Sequence, residues 1–315
     1  MNLVSIAASQ IGIMFIIMVL SFLCYKLKII GENANKTLSD VLLHFINPIL
    51  IFVSYQTDFK KEMLLGLGAA FLMALLSHLL FLLAARLFVP ASETHDYLVE
   101  RCSLIYTNCG FFGIPLVNGI FGSEGVLYLT AYVTLFNLFI WSHCVSVFRE
   151  KTDVRSLLKL LKSPTILAIL IGLPMLVFQI RIPKILFHSL DMIKEMNTPM
   201  AMMVAGISLA QTDLKKVFLK PRLYYVSILR MIVLPLLAMA LLKLLFGSGM
   251  VCEIMVIAAS CPCATMVTMF ALNYKRDYKY SSEIFAFTNI LAVLTIPLII
   301  FLFELWQYPG IFPIS

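Results

Sequence analysis

The chain has 315 residues, 61% of them hydrophobic and 13% charged, with a formal net charge of +7. Soluble globular domains are about half apolar and about a quarter charged, so a water-soluble fold is excluded. A helix of about 20 apolar residues crosses a bilayer, and runs of that length fill most of this sequence.

In chain order the apolar runs predict ten transmembrane helices in an all-α polytopic membrane protein. They cover residues 3–25, 35–57, 62–88, 95–121, 123–148, 163–180, 185–210, 221–246, 250–273 and 280–305. The first run carries no Lys or Arg from Met1 to Leu23, so it reads as a spanning helix and not as a cleavable signal. The connections are too short to hold a soluble domain. With no Gly-rich phosphate loop either, ATP hydrolysis is not expected.

Basic residues set the orientation. The odd-numbered connections carry 17 Lys and Arg, among them Lys26, Arg101, Arg149, Lys215, Lys220, Arg222 and Lys275. The even-numbered ones carry six: Lys60, Lys61, Arg181, Lys184, Lys194 and Lys243. The odd connections are therefore expected in the cytoplasm, with both termini outside a cell (inner) membrane. Membrane orientation accounts for the net charge without a nucleic-acid partner.

The chain reads as two halves. Residues 1–150 form a first repeat of five helices, 151–162 a cytoplasmic linker, and 163–315 a second repeat. Five is odd, so homologous halves must insert with opposite orientations. Offsets near 150 residues support this. Asn47-Pro48 corresponds to Thr198-Pro199 at 151, and His78 to Arg230 at 152. Gly110 corresponds to Pro262, and Asn137 to Asn289, both at 152.

Two stretches interrupt their helices at matching places: NCGFFGIP at 108–115 and AASCPCATMV at 258–267. Pro115 and Pro262 each remove a backbone donor. Unpaired backbone in lipid costs several kcal/mol per group, so such breaks belong inside protein or beside water. Matched breaks in inverted halves point to a binding site at the membrane midplane. The candidate substrate-binding residues there are Asn108, Gly110, Pro115, Asn118, Ser260, Pro262 and Thr265. Asn47, Thr198 and Asn137 follow, as polar groups at membrane depth. For Asn137 and Asn289 the competing reading is an interhelical hydrogen bond.

Arg230 lies nine residues past Pro221, or ~13 Å into the bilayer at about 1.5 Å per residue. Three roles stay open for it: pairing with a substrate carboxylate, capping carbonyls of a broken helix, or reaching back to the cytoplasm. His78 and His143 read as interior histidines. The seven cysteines, Cys261 and Cys263 included, read as buried free thiols, with no metal expected.

The stretch at 108–141 resembles the auxin efflux carrier family, in its short bacterial, malonate- or malate-carrier-like form. Asn108, Gly110, Gly113, Pro115, Phe121, Gly122, Phe136, Asn137, Leu138 and Trp141 carry the likeness. NPILIF at 47–52, TPMAMMVAGISLA at 198–210, CPCATMVTMFALNY at 261–274 and TIPL at 295–298 extend it. The resemblance implies two inverted five-helix repeats, with helices 4 and 9 crossing at their breaks. Bile acid:sodium symporters look like distant relatives of this architecture. Helices 1, 2, 6 and 7 would form the scaffold or the face of a homodimer. Two features depart from the family: the fifth connection is far shorter than in plant members, and cysteines flank Pro262 where small residues are usual.

The expected function is a secondary active or potential-driven efflux carrier of small organic anions, working by alternating access, and not an enzyme. The alternative is a membrane receptor or sensor that binds a small ligand without moving it. No cofactor is expected. Sodium, protons and the membrane potential stay open as driving forces.

Overall fold

A computed structural model describes residues 3–58, 60–149, 163–212 and 220–307. The expected linker 151–162 and Lys215 lie outside the described residues. The regular structure of those residues is helix, and they form no strand apart from one isolated bridge between Thr107 and Cys263.

The helices are α1 (Leu3–Lys26), α2 (Ala34–Ser54), α3 (Lys61–Phe88), α4 (Tyr97–Ile105), α5 (residues 109–121) and α6 (residues 123–149). There follow α7 (Pro164–Val177), α8 (Lys184–Glu195), α9 (Asn197–Gln211) and α10 (Pro221–Phe246). Last come α11 (Met250–Ser260), α12 (Thr265–Asn273) and α13 (Tyr278–Gln307). Six helical stretches are by themselves long and apolar enough to cross a membrane, and α7 and α11 are shorter apolar helices. One of the six, Cys109–Phe148, contains Gly122 with φ 64° and ψ −157°, so α5 and α6 part there. That glycine sits at the connection expected between the fourth and fifth runs, in a backbone region open mainly to glycine.

Two interruptions differ from the sequence expectation. The run at 185–210 is split at Met196 into α8 and α9. In the fourth run the non-helical residues are Tyr106, Thr107 and Asn108, and the helix has resumed by Cys109. The main-chain N–H groups of Phe112 and Gly113 both reach the Asn108 carbonyl, which draws the glycines into the helix.

Prolines shape the helices in a regular way. Wide π turns occupy Leu42–Ile46, Cys109–Gly113 and Leu229–Val233. Each contains the residue four before a proline: His44 before Pro48, Phe111 before Pro115, Met231 before Pro235. A proline ring clashes with the carbonyl four residues back and offers no donor to it. An extra residue in the turn relieves the clash, as helix bulges do. A fourth wide turn, Ile140–Cys144, has no proline behind it, and there the Ser142 hydroxyl donates to the Leu138 carbonyl.

Helices α1 and α9 approach each other closely. The Ser21 hydroxyl donates to the Met203 carbonyl at 3.0 Å. A Cβ placed on Gly206 would stand 2.2 Å from the Met18 carbonyl oxygen, so only glycine fits that contact. Gly206→Ala is expected to destabilise the protein by about 1–3 kcal/mol through overpacking. Thermal unfolding in detergent checks this, and an unchanged midpoint would disprove the contact.

Candidate functional site

The two breaks meet. The Asn108 main-chain N–H donates to the Pro262 carbonyl at 2.7 Å, and the Ala264 N–H donates to the Tyr106 carbonyl at 2.9 Å. Thr107 and Cys263 thereby face each other as an antiparallel bridge. The Cys263 N–H is taken by the Thr288 hydroxyl of α13 at 3.2 Å. Each unwound segment thus supplies the partners that the other lacks, which is how non-helical backbone is accommodated where water is scarce.

Arg230 completes the crossing. It is fully buried, so it does not reach the cytoplasm. Its Nη2 donates to the carbonyls of Ala259 at 2.8 Å and Cys261 at 2.5 Å. These carbonyls stand at the end of α11, where the helix dipole is negative and a cation is favoured. Of the three roles open from sequence, carbonyl capping is the one observed.

The other candidate residues divide. Pro115 and Pro262 are buried, while Gly110 is half-buried, with no atom of another helix within 4 Å of where its Cβ would be. The Ser260 hydroxyl turns back to the Val256 carbonyl at 2.7 Å. Asn118 is half-buried. Thr265, the first residue of α12, keeps a buried hydroxyl without a protein partner. Asn47 accepts a hydrogen bond from Asn197, 150 positions on, and both are buried. Thr198, at the position that the repeat offset matches to Asn47, is half-buried.

Asn137 and Asn289 correct an expectation. Their side-chain amides donate within their own helices, to Val133 and Phe285, both at 2.8 Å, and not between helices. Four residues back on a helix is the nearest carbonyl, and that local partner wins. His78 is an interior histidine, bonded through Nδ1 to the Ala74 carbonyl at 2.7 Å. His143 is half-buried and meets the Tyr106 hydroxyl at 2.8 Å. The Cys261 and Cys263 thiols turn to the carbonyls of Ile257 and Ala264.

A cavity of about 1050 Å³ opens at one end of the molecule. Its walls come from the α1–α2 connection, the first turns of α2, the end of α9, Lys220 just before α10, α12 and the start of α13. Inside, the lining is hydroxyl- and amide-rich, with Asn35, Ser208, Thr212, Thr265, Thr268 and Ser282. Thr265 ties this space to the crossing, since it immediately follows the break. Charges in the lining nearly balance: Lys36, Lys220 and Lys279 against Glu32, Asp40, Asp277 and Glu283.

An ionic cluster at this end was not legible in the sequence. Glu100 of α4 is fully buried and receives both Nε and Nη2 of Arg222 in α10, at 3.0 and 2.7 Å. The Tyr280 hydroxyl of α13 donates to the same carboxylate at 2.7 Å. Beside it, Lys220 pairs with Glu283 at 2.6 Å. Glu100 and Arg222 are 122 positions apart, and no local pattern marks them as partners.

Comparison with known proteins agrees with this picture. The family described as membrane transport proteins matches residues 7–300. An uncharacterized transporter of Methanocaldococcus jannaschii is 25% identical over 301 residues, covering 91% of this chain and 96% of its own. An uncharacterized transporter of Methanothermobacter thermautotrophicus is 26% identical over 291 residues, covering 90% and 94%.

Proposed function

Because the chain belongs to the family of membrane transport proteins that includes the auxin efflux carriers, we propose that it is a secondary carrier exporting small organic anions by alternating access. The observation that carries this reading is the pairing of two helix breaks beside a polar cavity that reaches Thr265. One helix break is common in membrane helices, but two breaks that satisfy each other form a pivot. Around it, one set of helices can rock against the other while the backbone stays paired.

In this reading the helices make ten crossings in two inverted repeats. The offsets near 150 support it, as does the Asn47–Asn197 bond across the halves. The substrate sits against Asn108, Gly110, Asn118 and Thr265, with Pro115 and Pro262 holding the breaks open. The protein lies in the cell membrane, with the cavity facing the cytoplasm, because the basic connections lie at that end. An inside-negative potential favours anion export by about 2.3 kcal/mol per charge per 100 mV, so the potential is the driving force assigned.

Flux in proteoliposomes tests the reading. Labelled malonate, malate and an indole carboxylate are offered while potential, sodium and pH gradients are imposed one at a time. Saturable flux of one anion, fastest with the potential, is expected. Ligand-induced stabilisation with no flux under any gradient would instead favour a receptor.

Asn108 gives a sharper test. Its backbone holds the crossing, and its side chain makes no hydrogen bond with another described residue. Asn108→Ala should therefore leave the thermal midpoint near wild type and lower flux at least tenfold. Full flux in that variant would remove Asn108 from the site.

A further inference from the structure

The wall of the cavity holds one carboxylate firmly in place. Glu283 of α13 lines the cavity with a side chain only 11% exposed. Both of its oxygens accept from the Lys220 ammonium, at 2.8 and 2.6 Å. Lys220 stands just before α10, and its side chain is 45% exposed. Tyr280, one turn before Glu283, lines the same cavity. Its hydroxyl donates to Glu100, which fixes the ring, and the Lys220 ammonium lies 5.8 Å from the centre of that ring. Next to Glu283 in the chain, Ser282 shares a hydrogen bond of 3.0 Å with Thr212 of α9. A carboxylate, an aromatic face and nearby hydroxyls make a site for an ammonium group. Here the protein's own lysine fills it.

That occupant is exchangeable. A lysine half open to water, on a flexible stem, is weakly held in its ion pair. The acid beneath it is buried and cannot follow it into solvent. The cavity lining as a whole carries four carboxylates, Glu32, Asp40, Asp277 and Glu283, against three lysines, Lys36, Lys220 and Lys279. A solute that brings only carboxylates therefore meets an excess of its own charge, and like charges select against it. A solute with an ammonium beside a carboxylate meets the opposite case. Its ammonium takes the place of Lys220 on Glu283, and the released Lys220 ammonium answers its carboxylate. One ion pair in the wall becomes two between wall and solute, and neither Glu283 nor Lys220 is left without a partner.

We propose that the Lys220–Glu283 pair is a selectivity site for organic anions that carry an ammonium group, the amino acid class. Glu283 takes the ammonium, Lys220 takes the neighbouring carboxylate, and the Tyr280 ring backs the ammonium. The proposal rests on the carrier reading and names the class of anion that such a carrier moves. Binding at the pair is a separate property from flux, so the two can be tested apart.

The experiment is thermal unfolding of the purified full chain in detergent, near neutral pH and at constant ionic strength, beside flux of the same solutes in proteoliposomes. Aspartate, malate and succinate share one dicarboxylate skeleton and differ in an ammonium, a hydroxyl or neither. Diaminobutane brings ammonium groups without a carboxylate. Wild type should need about tenfold less aspartate than malate or succinate for the same rise in midpoint, since a ligand of the folded state stabilises it by mass action. Glu283→Gln keeps the size of the side chain and leaves Lys220 in water, so it should fold. It should respond to the three anions alike, within about twofold. The Lys220→Met/Glu283→Gln variant strands neither charge and gives the same reading if the single variant is unstable. The proposal is overturned if wild type shows no preference for aspartate, or if the glutamine variants keep it. A rise with diaminobutane equal to that with aspartate would also overturn it, because the carboxylate would then add nothing. Flux of malate without a preference for aspartate would sink this site and leave the carrier standing. An aspartate-specific rise with no flux of any anion would do the opposite.

Discussion

Arg230→Met is expected to lower thermal stability by about 2–6 kcal/mol and to abolish flux. Methionine has similar length and no donor, so the carbonyls of Ala259 and Cys261 lose the partner that holds them. Each orphaned carbonyl costs about 1–3 kcal/mol, and neither water nor helix can replace the bond at the end of α11. Removing a buried cation returns part of its desolvation cost. The loss still dominates, because the carbonyl pair and the negative helix end now face apolar surroundings together. Arg230→Lys keeps the charge and reaches fewer carbonyls, so an intermediate midpoint is expected. Unfolding scans in detergent and flux assays on the three proteins check the order. A methionine variant with wild-type midpoint and flux would show that the break does not need its cap.

Arg222→Ala should cost about 3–5 kcal/mol, the usual result of stripping a buried ion of its partner. Glu100 is fully buried and would keep the Tyr280 hydroxyl as a donor, with His95 at 3.4 Å. Arg222 is itself 37% exposed, so water reaches the pair and the loss belongs at the lower end of that range. Adding Glu100→Gln to Arg222→Ala should recover much of the stability, because the stranded charge is gone. The double-mutant cycle measures the coupling directly. Additive losses would mean that the two residues act separately. The same cluster joins α4, α10 and α13 beside the cavity, so weakening it should also slow flux.

Much of the helical layout could be read from the chain because membrane length is a local quantity. The runs at 3–25, 62–88 and 221–246 agree within a residue with Leu3–Lys26, Lys61–Phe88 and Pro221–Phe246. Cys-Pro-Cys marked one break because proline acts on its own neighbours. The other break lay just upstream of its glycine signal, since Tyr106, Thr107 and Asn108 are extended by pairing with Pro262 and Ala264. The end of α8 at Glu195 falls four residues before Pro199, which disturbs the carbonyl there but lies inside the apolar run and so does not by itself show that the run divides.

The sequence by itself determined that this chain lives in a membrane, where its helices run, and that two of them are interrupted. Those properties depend on apolar run length, on prolines and on lysine and arginine counts, all readable within a few residues. Only the tertiary structure decided which backbone groups pair where the interruptions cross, that Arg230 caps α11, that Asn47 meets Asn197, and that Glu100 holds Arg222. A buried polar group must find a partner, but which partner depends on what the fold brings within about 3 Å. Here those partners stand 29 positions apart for Arg230 and Ala259, 122 for Glu100 and Arg222, and 150 for Asn47 and Asn197.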